Sequence, residues 1–450
     1  MSRPPDHPSD RSHPASCGDC RQAFLATDDD RVGVTRRSFV AGGVAAMALA
    51  FAVDAGTAAP AFAAGPVRGA AATTLPPVLV QINLFGGMDG LSAVAPIGDP
   101  DYVAMRPTIA VPASLALPLD RLFGLHPALA PLSPFLDDGS LALLHAVANP
   151  DNSRSHFDCS FNLEQGTFTG YYSPSGWLGR WLATLPAPGT FAAVAHDDAI
   201  SPSLVGPVPA LAIGSNSGFH VNVPNTDRLG TFTGTLHRVY GAAGDHPHPV
   251  LQTGQQTLTA LEAMATLTAT PYVPDHGAVY DPNSGTAQAL RDLAQLVKSG
   301  LGLRAATLGV GGWDTHSDMG TARAGYLRDQ LADLAGAVAA FATDLGPLMD
   351  SVTVVTVTEF GRDVQENSSH GLDHGWGQAM LVLGKGIRGG RDVKGTWPGL
   401  AVDKRDGEAL AGTTDYRSVL TEVLVGRLGA SAAEAASVFP GFTPVPVGVV

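Results

Sequence analysis

Cysteine is nearly absent from this 450-residue chain: Cys17, Cys20 and Cys159 are the whole set. Three cysteines cannot build a disulfide framework. Lysine is scarcer still for its type, at four, and charged residues of all kinds make up only 15%. Basic side chains number 27 against 41 acidic ones, for a net charge of −14. Sequence-independent nucleic-acid binding needs basic surface, so no nucleic-acid partner is expected. Beyond the N-terminal region no segment reaches 18 uninterrupted apolar residues. No stable membrane span is expected there, and the mature chain reads as soluble. Core-forming material is plentiful, with 45% hydrophobic residues, which excludes a disordered or fibrous chain. The 53 glycines and 34 prolines imply many turns, without a collagen-like period.

The first 64 residues read as an address. Thr35-Arg36-Arg37-Ser38-Phe39-Val40 is a twin-arginine pattern, and Phe39 to Val53 is a moderately apolar run. That run is too short for a stable membrane-spanning helix, which needs about 20 residues. Ala61-Phe62-Ala63 follows as a small-x-small cleavage site. Together these predict a twin-arginine signal peptide over 1–64, export through the twin-arginine translocase, and a periplasmic or extracellular destination. Cys17 and Cys20 would leave with the signal, so the mature chain keeps only Cys159 and no internal disulfide. Residues 64–77 read as a flexible leader. The mature domain is expected over 65–450.

Continuous apolar runs predict strands at Val78–Phe85, Leu141–Val147, Val208–Ile213, Arg304–Val310, Val352–Thr358 and Ala379–Leu383. Three- and four-residue apolar spacing predicts helices at Gln255–Leu267, Ala287–Lys298, Ala322–Leu345 and Asp415–Leu428. Buried strands alternating with amphipathic helices predict a three-layer α/β/α sandwich around a mostly parallel sheet. The stretch from about 165 to 280 is richer in Gly, Pro, Thr and His and reads as an inserted cap.

In such sheets ligands bind beyond the carboxyl ends of the strands. There the sequence places Gly86-Gly87-Met88-Asp89, Ser153-Arg154-Ser155-His156, Gly312-Trp313-Asp314-Thr315-His316, Glu359-Phe360-Gly361-Arg362 and Asp373-His374. Carboxylates and imidazoles suit a divalent ion such as zinc, manganese or calcium. Asp89, Asp314, His316, Glu359, Asp373 and His374 are the candidate metal residues. Asp89 also reads as a turn former, Asp314 and His316 as loop hydrogen bonding, and Glu359 as a partner of Arg362. Ser155 and Ser153 are candidate nucleophiles, although a serine in this setting is also a helix cap. His156 reads as a ligand, a base or a packed side chain. Arg154 and Arg362 are candidate stabilisers of an anionic oxygen. Asp245-His246-Pro247-His248 looks like a metal tract but sits in a Gly/Pro-rich stretch and reads as solvated.

The run from Gln81 to Gly90, then Ser155-His156-Phe157-Asp158, Gly312–His316, Thr358–Arg362, Asp373-His374-Gly375, Thr414–Arg417 and Val438–Phe442 resembles an exported bacterial family, domain of unknown function 1501. That family is similar in fold to the alkaline phosphatase and sulfatase superfamily. The resemblance implies one or two metals at the strand ends and a nucleophile at a helix N-terminus. It implies that Asp89 is the first-strand metal carboxylate, that Asp314 and His316 match a later Asp…His pair, and that His374 matches the last metal-binding His. Glu359 stands where the superfamily has the acid of an Asp-His-Gly motif, with Phe360 in place of the His. The resemblance further implies a second exported protein, encoded nearby, as a partner.

Two functions follow as expectations. The first is an exported metal-dependent hydrolase of phosphate or sulfate esters. The second is a non-catalytic exported binding or assembly protein on a degenerate hydrolase scaffold, motivated by Phe360.

Overall fold

The computed structural model describes residues 75–168, 170–222, 229–241 and 249–450. The expected signal over 1–64, most of the expected leader, and the Asp245–His248 tract lie outside the described residues. The main sheet has strands β1 (Val78–Leu84), β2 (Leu141–Ala148), β3 (Ala193–His196), β4 (Leu211–Ala212), β5 (Ala305–Val310), β6 (Val352–Val357), β7 (Gln378–Leu383) and β8 (Thr414–Asp415). Their spatial order is β8-β2-β7-β6-β1-β5-β3-β4. Only β7 runs antiparallel to its neighbours; the other pairings are parallel.

The longer helices are α1 (His156–Gln165), α2 (Trp177–Leu182), α3 (Leu229–Gly241), α4 (Pro249–Leu267), α5 (Gly285–Ser299), α6 (Tyr326–Leu345), α7 (Tyr416–Gly426) and α8 (Ala432–Val438). Side chains alternate across a strand, and β1 shows the consequence. Val78, Val80, Ile82 and Leu84 join a core with α5 and α6 on one face. Leu79 joins a second core with α2, α7 and α8 on the other. The result is the three-layer α/β/α sandwich. Helix α5 begins where the Ser284 hydroxyl accepts the Ala287 amide at 2.9 Å and ends at Gly300, φ 70°.

Tyr326–Asp350 is the one segment among the described residues long and apolar enough to cross a membrane, with mean hydropathy 1.3. Its Leu327, Leu331, Leu334, Val338 and Phe341 are instead buried in the first core. The expected strand at Val208–Ile213 shrinks to the two-residue β4, because Pro207 and Pro209 lack the amides a longer ladder needs. Strand β3 was not anticipated. Its four residues sit in the segment read as a cap, and that reading needs correction. Within 165–280, α2 covers the second face and β3 and β4 extend the sheet, so this part belongs to the sandwich itself.

Helix α1 seats a buried acid. Glu164 accepts the Ser201 hydroxyl at 2.6 Å, but burial pushes its carboxyl up to about 7. The folded chain therefore holds a proton that the unfolded chain releases near pH 4.5. The resulting stabilisation is complete below that pH and is lost as pH rises through about 7. Glu164→Gln should be more stable than the parent at pH 8, by up to about 3 kcal/mol, with the difference vanishing near pH 4. Denaturant titrations at both pH values read this directly; a pH-independent difference would refute it.

Candidate functional site

The parallel strands end at one edge, and the entry to antiparallel β7 lies at the same edge. Four loops meet there. Glycine lets two of them touch: a Cβ on Gly86, whose φ is 117°, would lie 2.5 Å from the Asp314 amide nitrogen.

Beneath the loops lies Arg362, with its side chain fully buried. Its Nε donates to the Gly87 carbonyl at 2.7 Å and its Nη1 to the Leu372 carbonyl at 3.1 Å. Its Nη2 donates to the carbonyls of Gly86 and Trp313 and to Asp314 Oδ1, the last at 2.6 Å. Arg362 is thus not a free anion binder, as expected from sequence, but a clamp on the loops and on Asp314.

Asp314 is the hub. His156 Nε2 lies 3.5 Å from its Oδ2, and the Nε2 atoms of His316 and His374 lie 3.0 and 3.3 Å from its Oδ1. Burial opposes its charge, but the neighbouring His156, His374 and Arg362 outweigh this and hold the carboxyl well below the usual carboxylate range. One ligand atom from each of His156, Asp314 and His374 lies within 4.8 Å of the others. Phe360, fully buried, floors the cluster, with its ring 4.8 Å from that of His156 and 4.7 Å from that of His374.

The partners of each outer nitrogen assign the tautomers. His156 Nδ1 lies 2.8 Å from Glu359 Oε1, His316 Nδ1 lies 2.8 Å from Asp373 Oδ1, and His374 Nδ1 lies 2.9 Å from the Arg154 carbonyl. All three partners are acceptors, so each Nδ1 carries the proton. In the neutral rings each Nε2 then presents a lone pair. The Nε2 atoms of His316 and His374 face each other at 3.0 Å, and His156 Nε2 is buried with no hydrogen-bond partner. Three lone pairs and a carboxylate aimed at one another repel unless a cation lies between them. Protons answer part of this need: burial opposes the charged ring of His156, but the carboxylates of Asp314 and Glu359 push it up to about 9. The donor set, nitrogen and carboxylate oxygen with outer nitrogens fixed by acceptors, fits a divalent transition ion.

The remaining expected site residues are placed elsewhere. Asp89 is buried with both oxygens on Arg106, at 2.6 and 3.0 Å. Burial raises its carboxyl, but the Arg106 charge outweighs this and lowers it. It is a structural ion pair rather than a ligand. Glu359 and Asp373 touch the cluster through His156 and His316, so they orient imidazoles rather than join the cluster. Glu359 is also tied down by the Gly86 amide, at 2.7 Å to Oε1. Ser155 caps α1, accepting the Asp158 amide at 3.4 Å, and Ser153 Oγ lies 3.4 Å from Cys159 Sγ. Arg154 bonds Asp406 through its side chain and supports His374 through its carbonyl. Sequence reasoning missed Arg106 and Asp406. Arg106 follows Asp89 by 17 residues and carries no motif, so nothing in the sequence pairs them.

The family model described as a protein of unknown function, DUF1501, matches residues 144–413. The chain belongs to the DUF1501 family. No protein of curated function matches it. Among solved structures, it is similar to the lipoteichoic acid synthase LtaP from Listeria monocytogenes, at 10% identity and TM-score 0.31, covering 76% of each chain. It is also similar to the PsFucS1 sulfatase from Pseudoalteromonas sp., at 10% identity and TM-score 0.34, covering 80% of this chain and 69% of the other. The DUF1501 match ends just before β8 and contains all four residues of the His/Asp cluster.

Replacing Arg362 by Met keeps much of its volume but leaves the buried carbonyls of Gly86, Gly87 and Leu372 without this donor and takes one donor from the Trp313 carbonyl and from Asp314. Arg362→Met should lose at least about 3 kcal/mol of stability in urea titrations. A loss below about 1 kcal/mol would remove the clamp from this account of the site.

Proposed function

We propose that this DUF1501 protein is an exported, metal-dependent hydrolase of phosphate or sulfate esters. The observation that carries the reading is the convergence of three imidazole Nε2 atoms on Asp314, each ring oriented by an acceptor on its far side. His156, Asp314 and His374 would hold the ion, with His316 as a fourth donor. Bound there, a divalent ion such as zinc or manganese supplies Lewis acidity toward an ester oxygen. Glu359, Asp373 and the Arg154 carbonyl hold the rings in one tautomer and one orientation. The N-terminus of α1 adds first-turn amides beside His156, which favour an anionic group. This matters in a chain of net charge −14 whose Arg154 and Arg362 are both engaged. Ser153 and Ser155 are occupied in capping and loop contacts, so the attacking oxygen in this reading is that of water.

The same observation about the serines favours a second reading, a binding or assembly protein whose ion is structural. Elemental analysis and turnover separate the two. Purified protein should carry about one equivalent of zinc or manganese, and Glu359→Gln should weaken that affinity about tenfold or more. Asp314→Ala should lose both the metal and the hydrolysis of p-nitrophenyl phosphate or p-nitrophenyl sulfate. Metal without turnover of either ester would favour the binding protein. No metal after incubation with zinc, manganese and calcium would sink both metal readings.

A further inference from the structure

The helix that delivers His156 and the loop after it carry exposed aromatic side chains. Phe157 is 72% exposed, Phe161 41%, Phe168 41%, Tyr171 40% and Tyr172 70%. A soluble surface rarely gathers large apolar side chains this way without a ligand or partner. The five come from one short stretch that starts next to the site. Phe157 and Phe161 are one helical turn apart and share a face of α1. Tyr172 stacks on Phe161, with centroids 6.2 Å apart and planes at 20°. Tyr171 stacks on Phe168 at 5.5 Å and 28°.

The face is pre-formed. Helix α1 stops at Gly166, φ 66°, and the chain turns at Gly170, φ 85°, where the Tyr171 amide donates to the Phe168 carbonyl at 3.0 Å. Arg180 closes the base of this loop. Its Nη2 donates to the Gln165 carbonyl and its Nη1 to Ser173 Oγ at 3.0 Å. Gln165 Oε1 accepts the Ser173 amide at 3.1 Å. The loop backbone that carries Phe168, Tyr171 and Tyr172 is thus fixed by its own hydrogen bonds.

We propose that this aromatic face binds a saccharide ring and forms the subsite for the alcohol part of the ester; the second half of this statement rests on the hydrolase reading above. Near-parallel rings present broad flat faces, which match the C–H face of a sugar ring. Exposed Asp158 and the phenols of Tyr171 and Tyr172 lie in the same stretch and match its hydroxyl rim. A lipid surface fits less well. Residues 157–173 contain Asp158 and Glu164 but neither Lys nor Arg, and the whole chain is acidic, so an anionic bilayer would be repelled. The stretch begins at the residue after His156, so on the hydrolase reading a bound sugar's substituent would reach the His/Asp cluster.

The test reads binding without turnover. Fluorescently labelled purified protein is applied to an array of neutral, sulfated and phosphorylated glycans, beside Phe157→Ala/Phe161→Ala and Tyr172→Ala variants. The parent should be retained on at least one saccharide class. The double variant should lose retention about tenfold or more, because it removes two stacking surfaces. The replaced side chains are exposed, so thermal midpoints should stay unchanged and the loss can be assigned to binding. No retention on any glycan, or equal retention by the variants, overturns the proposal. Binding to phosphatidylcholine vesicles or to free p-nitrophenol in place of glycans overturns it too. Retention by a protein that hydrolyses neither p-nitrophenyl ester would leave the saccharide site standing and remove the hydrolase reading alone.

Discussion

One guanidinium holds the loop edge of this sheet together. Arg362 donates to backbone carbonyls from the loop after β1, the loop after β5 and the loop before β7, and to the Asp314 carboxylate. A buried arginine is costly to desolvate unless its donors are satisfied. Here they are satisfied by backbone carbonyls and a carboxylate, and the carbonyls of Gly86, Gly87 and Leu372 depend on it in turn. The exchange fixes Asp314, and Asp314 fixes where the three Nε2 atoms converge. The close packing of Gly86 on Trp313 and Asp314 is the steric counterpart of the same constraint.

Much of the fold was legible because a buried parallel sheet writes itself as continuous apolar runs. The runs at Val78–Phe85, Arg304–Val310 and Val352–Thr358 became β1, β5 and β6 with ends shifted by a residue. The edge was not legible. Strand β3 is the short Ala-Val-Ala-His, with no periodicity to separate it from a loop, and prolines cut β4 to two residues. The Thr- and Gly-rich composition of the middle of the chain suggested a separate cap. Composition does not say which apolar residues find the main core, and Trp177, Trp181 and Val194 do.

The site was legible at the level of position. Strand ends of a parallel sheet share an edge, so acids and histidines that follow strands were bound to be neighbours. His156, Asp314, His316 and His374 do meet. What sequence does not contain is the division of labour. Whether a carboxylate faces an ion or the back of a histidine depends on contacts tens to hundreds of residues away. Glu359 meets His156 across 203 positions. Asp89, set among glycines after the first strand, looked like a ligand, yet an arginine 17 residues on takes both its oxygens. Phe360, read as the mark of a degenerate motif, serves as the apolar floor on which two imidazoles lean.

Helix α1 joins these levels. Its ten residues divide by face. The N-terminal turn carries His156 and the Ser155 cap to the cluster. The buried side sets Cys159, Asn162, Leu163 and Glu164 against the body of the protein. The outer side shows Phe157 and Phe161 to solvent. Burying Glu164 raises its pKa, and exposing two phenylalanines forgoes the hydrophobic gain of covering them. Neither feature helps the helix to fold. Local choices that work against stability concentrate where a chain meets its ligand. In this helix they follow the histidine that faces Asp314, so under the proposed reading one short element would carry both the chemistry and the recognition of the substrate.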